Sequence, residues 1–219
     1  TLAAERLVEE MYSAVKLRMT ADVPVGVFLS GGVDSSSVTS MAVSCQRGDP
    51  VNSFSIGFEE ESFDESGYAR DVSSILGTNH FEEKLSVSRC LNLLGDIYSR
   101  LDEPMADSSL VPSFLMCRVA SDKVKVALGG DGSDELFAGY DPFKAINPAR
   151  LYSKFVPDIL HGSITKLVGQ IPVSHRNMSA DFKLKKFLSG LGYDQSMINP
   201  VWLGPLPPGH LERLFGRRL

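Results

Sequence analysis

The chain has 219 residues, of which 43% are hydrophobic and 22% are charged, so it can bury a core without disulfides or a structural metal. Its formal net charge of −5 excludes a global basic field for nucleic acid, and it has neither an apolar run of membrane-span length nor a signal-peptide pattern. Three widely spaced cysteines (Cys45, Cys90 and Cys117) are typical of buried thiols in a reducing compartment. These features predict a cytoplasmic protein that binds neither nucleic acid nor membrane.

Charge and proline divide the chain into two stretches. Residues 1–141 carry 11 basic and 23 acidic side chains, whereas residues 142–219 carry 11 basic and 4 acidic ones, together with eight of the twelve prolines. We therefore expect a regular acidic domain over 1–141 and a helical, Pro-rich segment over 142–219 that prolines interrupt. The basic stretch is interpreted as a packing surface, with a nucleic-acid arm as the alternative.

Helical and strand patterns alternate through the first stretch. Apolar residues at helical spacing predict a first helix, and the alternation of Phe54, Ile56 and Phe58 predicts a strand. Ser62 and Asp64 are candidate caps of the helix that follows this strand, and Gly77 is its expected end. In chain order the predicted elements are a helix at 2–19, a strand at 25–30, a helix at 35–46, a strand at 53–58, a helix ending at 77, a strand at 80–85, helices at 88–100 and 112–120, and a strand at 124–128. This order predicts an α/β fold with a doubly wound parallel sheet.

The first predicted strand runs into a glycine-rich loop, residues 30–36 (SGGVDSS). Glycines allow backbone N–H groups to approach a phosphate, and the helix that follows adds its positive end. Because no lysine follows the glycines, the loop is not a Walker A loop. Asp34 would repel a phosphate unless a Mg²⁺ ion lay between them. The alternative is a tight turn in which Asp34 caps the helix.

A second glycine-rich loop, residues 129–135 (GGDGSDE), follows the last predicted strand. Ligands of parallel sheets bind beyond the carboxyl ends of the strands, which is where both loops are expected. The two loops therefore predict one ligand site at this edge.

The loop at 30–36 resembles the pyrophosphate loop of the ATP pyrophosphatase (PP-loop) superfamily, whose fold is of the adenine nucleotide alpha hydrolase type. Residues 54–58 (FSIGF), 63–70 (FDESGYAR), 76–80 (LGTNH) and 129–140 (GGDGSDELFAGY) are similar to glutamine-dependent asparagine synthetases. These motifs cover about residues 21–145 in the family's order. The chain is therefore identified as resembling the synthetase domain of that family.

The resemblance implies a set of site residues. Asp34 and Asp134 match the two aspartates that hold Mg²⁺, and Asp131 matches an acidic position linked to acyl-adenylate formation. His80, Glu135 and Tyr140 are interpreted as structural. The remaining positions match those around ATP and its pyrophosphate: Phe28, Leu29, Ser30, Gly31, Gly32, Ser35, Ser36, Ile56, Gly129 and Gly130.

The implied reaction is the ATP-dependent amidation of aspartate to asparagine through a β-aspartyl-AMP intermediate, with release of AMP and pyrophosphate. ATP and Mg²⁺ are the implied cofactors, and ammonia would come from glutamine through an N-terminal glutaminase domain that we expect this chain to lack. A homodimer is the assembly implied for the full-length protein.

Two departures from the family keep alternatives open. No match to its catalytic lysine lies in residues 142–219, so we expect that residue beyond the chain and low activity of the chain alone. Residues 101–112 (LDEPMADSSLVP) lack the expected aspartate-reading pattern and resemble relatives that amidate other carboxylates. Another amidotransferase, a β-lactam-forming cyclase and a tRNA-modifying PP-loop enzyme are the alternatives.

Overall fold

The chain divides into two compact units, Thr1–Asp131 and Gly132–Leu219. The computed structural model describes residues 2–103, 105, 107–174, 178–194, 196–204 and 213–215. Pro104 and Ala106, in the stretch interpreted as contacting the carboxylate substrate, lie outside these residues. The sequence places the division at residue 141, after the glycine-rich loop, whereas the division between the units falls within that loop.

Four parallel strands form the sheet of the first unit: β1 (Val25–Phe28), β2 (Asn52–Phe58), β3 (Asn79–Leu85) and β4 (Val126–Leu128). Their order across the sheet is β3-β2-β1-β4. The chain therefore adds strands in one direction from β1 to β3 and then returns to place β4 on the other side of β1. The prediction of a parallel α/β sheet is confirmed.

Among the described residues of the first unit, five helices accompany the strands. A core of Val15, Val27 and Ala42 joins α1 and α2 to one face of the sheet, and Leu93, Ile97 and Leu115 belong to a second core that joins α4 and α5 to strand residues of β2 and β3. Helices thus cover both faces, as a doubly wound sheet requires. Their bounds are α1 Leu2–Met19, α2 Val33–Cys45, α3 Ser66–Leu76, α4 Val87–Tyr98 and α5 Leu110–Ser121.

The register of the strands sorts the side chains of β2 between the two faces. Phe54 lies beside Phe28 of β1 and Phe81 of β3, and its ring stacks on that of Phe81 with centroids 5.4 Å apart. Ser53, one residue earlier, lies beside Val27 and His80 and therefore faces the other way. One face of β2 is aromatic, and the opposite face carries serines.

The start of α3 differs from the prediction. The residue before the helix is Glu65, and neither Ser62 nor Asp64 caps the helix in the expected manner. Asp64 Oδ1 instead accepts hydrogen bonds from the backbone N–H groups of Phe58 (3.3 Å) and Ser66 (3.1 Å). The carboxylate ties the end of β2 to the first turn of α3, and these hydrogen bonds help to hold its pKa below the usual value. The end of the helix at Gly77, with φ of 69°, is as predicted.

The described part of the second unit is helical. Ala149, Ile198 and Trp202 form its core, where the rings of Phe187 and Trp202 stack with centroids 5.7 Å apart. Pro148 lies inside a helix, whereas Pro157 lies between two helices, so the prolines interrupt the segment at some positions and not at others. In the described residues of the chain, no helix has the length and apolarity to span a membrane. The helices are α6 Ser133–Phe137, α7 Asp141–Phe155, α8 Asp158–Gly169, α9 Ala180–Gly190 and α10 Ile198–Leu203.

Candidate functional site

A cavity of about 380 Å³ opens in the first unit beyond the carboxyl ends of β1 and β4. The strand order reverses between these two strands, and such a reversal is where open parallel sheets bind ligands. Most of the predicted site residues of the first unit line this cavity: Phe28, Leu29, Ser30, Gly32, Asp34, Ser35, Ile56, Gly129, Gly130 and Asp131. Gly31 and Ser36 belong to the same loop without lining the cavity.

The loop after β1 is closed by its own serines. Gly32 N donates to Ser30 Oγ (3.3 Å), and Ser35 Oγ donates to the carbonyl of Gly32 (3.2 Å). The hydroxyls of Ser30 and Ser35 lie 2.9 Å apart, and Ser30 N donates to Ser35 Oγ (3.2 Å). Two serines that the sequence offered as phosphate donors therefore also fix the conformation of the loop.

This loop leaves donors of the kind that an anion needs. α2 begins at Val33 after Gly32, which has no side chain with which to cap the free N–H groups of the first turn. Helix α2 therefore starts two residues before the predicted 35, and Asp34 lies inside the helix and is not its cap. Ser36 Oγ is buried and has no hydrogen-bond partner among the described residues. A phosphate group would satisfy the free N–H groups of the first turn and interact favourably with the positive end of the helix.

The two glycine-rich loops meet at Gly130. A Cβ added to this residue would lie 2.9 Å from the backbone N of Ser35 and 3.1 Å from the carbonyl carbon of Asp34. The backbone after β4 therefore packs directly on the first turn of α2. Only a residue without a side chain allows this approach.

We expect the substitution Gly130→Ala to weaken the binding of ATP about tenfold, because the added methyl group pushes the second loop away from Ser35. Isothermal titration of the full chain with MgATP measures this loss. Gly95→Ala is the matched control, since a Cβ at Gly95 meets nothing within 4 Å. An unchanged affinity of Gly130→Ala would show that the two loops need not be in contact to hold the nucleotide.

Three carboxylates line the cavity: Asp34 on α2, Glu65 before α3, and Asp131 after β4. The Asp131 carboxylate lies against Gly129, where it would meet an added Cβ. The other predicted metal ligand, Asp134, belongs to the second unit, where its backbone carbonyl accepts a hydrogen bond from Gly139 N (3.0 Å). In the part of the chain that the structure describes, no group of three or more His, Cys, Asp or Glu side chains is placed to hold a metal ion.

The rest of the cavity wall contains residues that the sequence analysis did not select. Phe58 and Phe63 come from the end of β2 and the loop that follows it, and Pro112 and Met116 come from α5. The alternation of β2 is a signal that could have found Phe58. Helix α5 gave no such signal, because its approach to the cavity depends on tertiary packing.

Ser55 of β2 also lines the cavity and leads into a partly buried polar network. Its hydroxyl lies 3.0 Å from His80 Nε2, and the other ring nitrogen, Nδ1, lies 2.8 Å from Ser53 Oγ. Thr78 Oγ1 continues the network, 2.7 Å from Ser53 Oγ and 2.8 Å from Ser73 Oγ. Burial lowers the pKa of the His80 imidazole below its usual value, although the nearby Glu82 carboxylate acts in the opposite direction.

Comparison with known proteins gives a consistent result. The family model for asparagine synthase matches residues 6–201. Asparagine synthetase [glutamine-hydrolyzing] 1 of Bacillus subtilis is 37% identical over 144 residues, which cover 64% of this chain and 22% of that protein. A putative asparagine synthetase of Methanocaldococcus jannaschii is 34% identical over 209 residues, covering 90% of this chain and 37% of that protein. The chain thus spans about a fifth to about a third of the length of these relatives.

A solved structure, an NH3-dependent NAD synthetase from Campylobacter jejuni, matches 62% of this chain and 60% of its own chain. The two are 16% identical in sequence, and the TM-score is 0.43.

Proposed function

The chain belongs to the asparagine synthase family, and on that basis we propose that it is the ATP-binding part of a ligase that amidates aspartate. The observation that carries the proposal is the cavity at the strand-order reversal, whose wall contains both glycine-rich loops and the open first turn of α2. This arrangement suits a nucleoside triphosphate, because the loop supplies hydrogen-bond donors for the phosphates while the adjoining wall of the cavity is apolar.

We propose the following roles for the cavity residues. The loop formed by Ser30, Gly31, Gly32, Ser35 and Ser36 holds the phosphates that leave as pyrophosphate. The backbone of Gly129 and Gly130 lies against the AMP part of the nucleotide, in the second glycine-rich loop. Phe28, Leu29 and Ile56 supply the apolar surface for adenine and ribose, which bury well against such side chains.

Asp34 and Asp134 are proposed to hold Mg²⁺. The oxygen donors of two carboxylates suit this ion, and Asp34 lies beside the loop where an uncompensated carboxylate would repel phosphate. The ion, when bound, would neutralise the charge that develops on the leaving pyrophosphate.

In the proposed reaction, a side-chain carboxylate oxygen of aspartate attacks the α-phosphorus of ATP. The bond between the α-phosphorus and the oxygen that bridges the α and β phosphates breaks. Pyrophosphate leaves, and β-aspartyl-AMP forms. Ammonia then attacks the acyl carbon, AMP leaves and the nitrogen loses a proton. We place Asp131 at the adenylation step and propose glutamine as the source of ammonia in the whole protein, since the relatives are named glutamine-hydrolyzing. Water must be excluded from the mixed anhydride, which it would hydrolyse.

Isothermal titration of the full chain with MgATP, MgGTP and magnesium pyrophosphate tests the ATP-binding part of this proposal. We expect ATP and pyrophosphate to bind and GTP to bind at least tenfold more weakly than ATP. An absence of binding by both ATP and pyrophosphate would contradict the proposed function.

The acceptor is tested by exchange of labelled pyrophosphate into ATP in the presence of single carboxylates. We expect exchange with L-aspartate to exceed exchange with L-glutamate, succinate or no carboxylate, at a low rate for this chain alone. Exchange that another carboxylate supports better would assign a different acceptor. If the chain shifts tRNA in a native gel and the shift weakens with added salt, a tRNA-modifying enzyme is favoured instead.

A further inference from the structure

His80, which is half-buried, and the buried Ser55 form a pair on the face of the sheet opposite the stacked phenylalanines. Ser53 and His80 are paired in the register of β2 and β3, and Ser55 follows two residues along the same face of β2. The imidazole therefore lies across both serines, with one ring nitrogen at each hydroxyl (2.8 and 3.0 Å). This bridge fixes the orientation of the ring in its plane.

Only the Ser55 end of this network reaches the cavity. All three serines are buried, but Ser55 belongs to the wall of the cavity, whereas Ser53 and Ser73 line no part of it. A serine hydroxyl has one donor and two acceptor positions, and His80 Nε2 uses one of them. Ser55 therefore keeps hydrogen-bonding capacity that a ligand in the cavity can use.

We propose that the Ser55 hydroxyl hydrogen-bonds a polar atom of the nucleoside part of ATP and that His80 is the positioning residue that holds this hydroxyl in place. The inference rests on the proposed function, since it takes the ligand to be ATP. It assigns the nucleoside because Ser55 lies in the cavity wall on β2, one strand away from the serine–glycine loop that is proposed to hold the phosphates.

Binding measurements with two ligands distinguish a direct contact of Ser55 with the nucleoside from a purely structural role of Ser55. MgATP carries the nucleoside, whereas magnesium pyrophosphate occupies the phosphate loop alone. By isothermal titration of the full chain, we expect Ser55→Ala to weaken ATP binding about five- to tenfold, the usual effect of one lost hydrogen bond, and to change pyrophosphate binding less than twofold. Ser73→Ala is the matched control, because it interrupts the same network at a residue that does not line the cavity and is expected to leave both affinities unchanged.

Two substitutions of His80 test the positioning role. The amide of His80→Gln reaches the place of Nε2 and can still hold Ser55, so ATP affinity is expected to stay within twofold of the wild type. The amide of His80→Asn reaches only the place of Nδ1 and can hold Ser53 but not Ser55, so it is expected to lose as much ATP affinity as Ser55→Ala does. If His80 had only a structural role, His80→Gln would not be expected to keep the ATP affinity that His80→Asn loses.

A series of nucleotides identifies the partner atom. We expect one of 2′-deoxy-ATP, 3′-deoxy-ATP and ITP to bind to the wild type and to Ser55→Ala with equal affinity, because it lacks the group that Ser55 contacts. The inference is overturned if Ser55→Ala binds ATP like the wild type, if it weakens pyrophosphate equally, or if every analogue keeps the full difference. Failure of the wild type to bind either ATP or pyrophosphate overturns the proposed function itself, and the inference falls with it.

Discussion

Replacing Asp34 by asparagine is expected to weaken ATP binding in Mg²⁺ about a hundredfold, or about 2.8 kcal/mol, while strengthening it slightly when the metal is chelated. The two effects have opposite signs for one reason. Asp34 lies in the first turn of α2 on the cavity wall, where its charge attracts a divalent ion but repels bare phosphate. Titrations of the full chain with ATP in Mg²⁺ and in EDTA measure both effects.

Asp134→Asn tests whether the two aspartates share one ion. If they do, each single substitution removes most of the gain in affinity that Mg²⁺ gives, and the double substitution removes little more. Asp49→Asn, in an exposed loop after α2, controls for the loss of one negative charge. Fully additive losses from Asp34→Asn and Asp134→Asn would contradict a shared Mg²⁺ site.

The substitution Gly31→Ala is expected to destabilise the first unit by about 2 to 5 kcal/mol, the sum of backbone strain and overpacking. Gly31 has φ of 81°, and a Cβ there would lie 2.5 Å from the carbonyl carbon and Cβ of Tyr68 and 2.7 Å from the backbone N of Ala69. Two of these three atoms belong to the backbone of α3, which cannot yield as the far end of a flexible side chain can. Urea unfolding followed by circular dichroism gives the change in the free energy of unfolding.

Gly48→Ala separates the two causes. Gly48 has φ of 99°, but a Cβ there meets nothing within 4 Å, so only backbone strain of about 1 to 2 kcal/mol is expected. The excess loss in Gly31→Ala then measures the contact between the loop and α3. Equal losses in the two variants would show that this contact does not limit the position of the loop.

Local patterns were sufficient to predict the elements of the first unit. The alternating Phe54, Ile56 and Phe58 lie in a strand that extends one residue further back, over Asn52–Phe58. The predicted strand at 124–128 is shorter, Val126–Leu128. Val124 N donates to the carbonyl of Ala120 (2.9 Å), close to the end of α5, and Lys125 N donates to the carbonyl of Pro24 (3.0 Å), next to β1. Both differences are confined to the ends of the strands.

The site could be predicted as far as its loops, because each lies next to a strand in the sequence. The contact between Gly130 and the first turn of α2 could not be predicted, since it depends on β4 lying beside β1. His80 was interpreted as structural for a similar reason. Its two serine partners become visible only when the register of β2 and β3 is known. The pairing of Asp34 with Asp134, which lies in the second unit, stays a prediction.

The closed serine loop has a thermodynamic consequence. Because Ser30, Gly32 and Ser35 already hold one another in place, the chain does not have to be ordered when a nucleotide arrives. Less of the interaction energy is then lost to conformational entropy, as in other preorganised binding sites. The association of nucleotide with this loop should therefore show only a small entropic penalty from the protein.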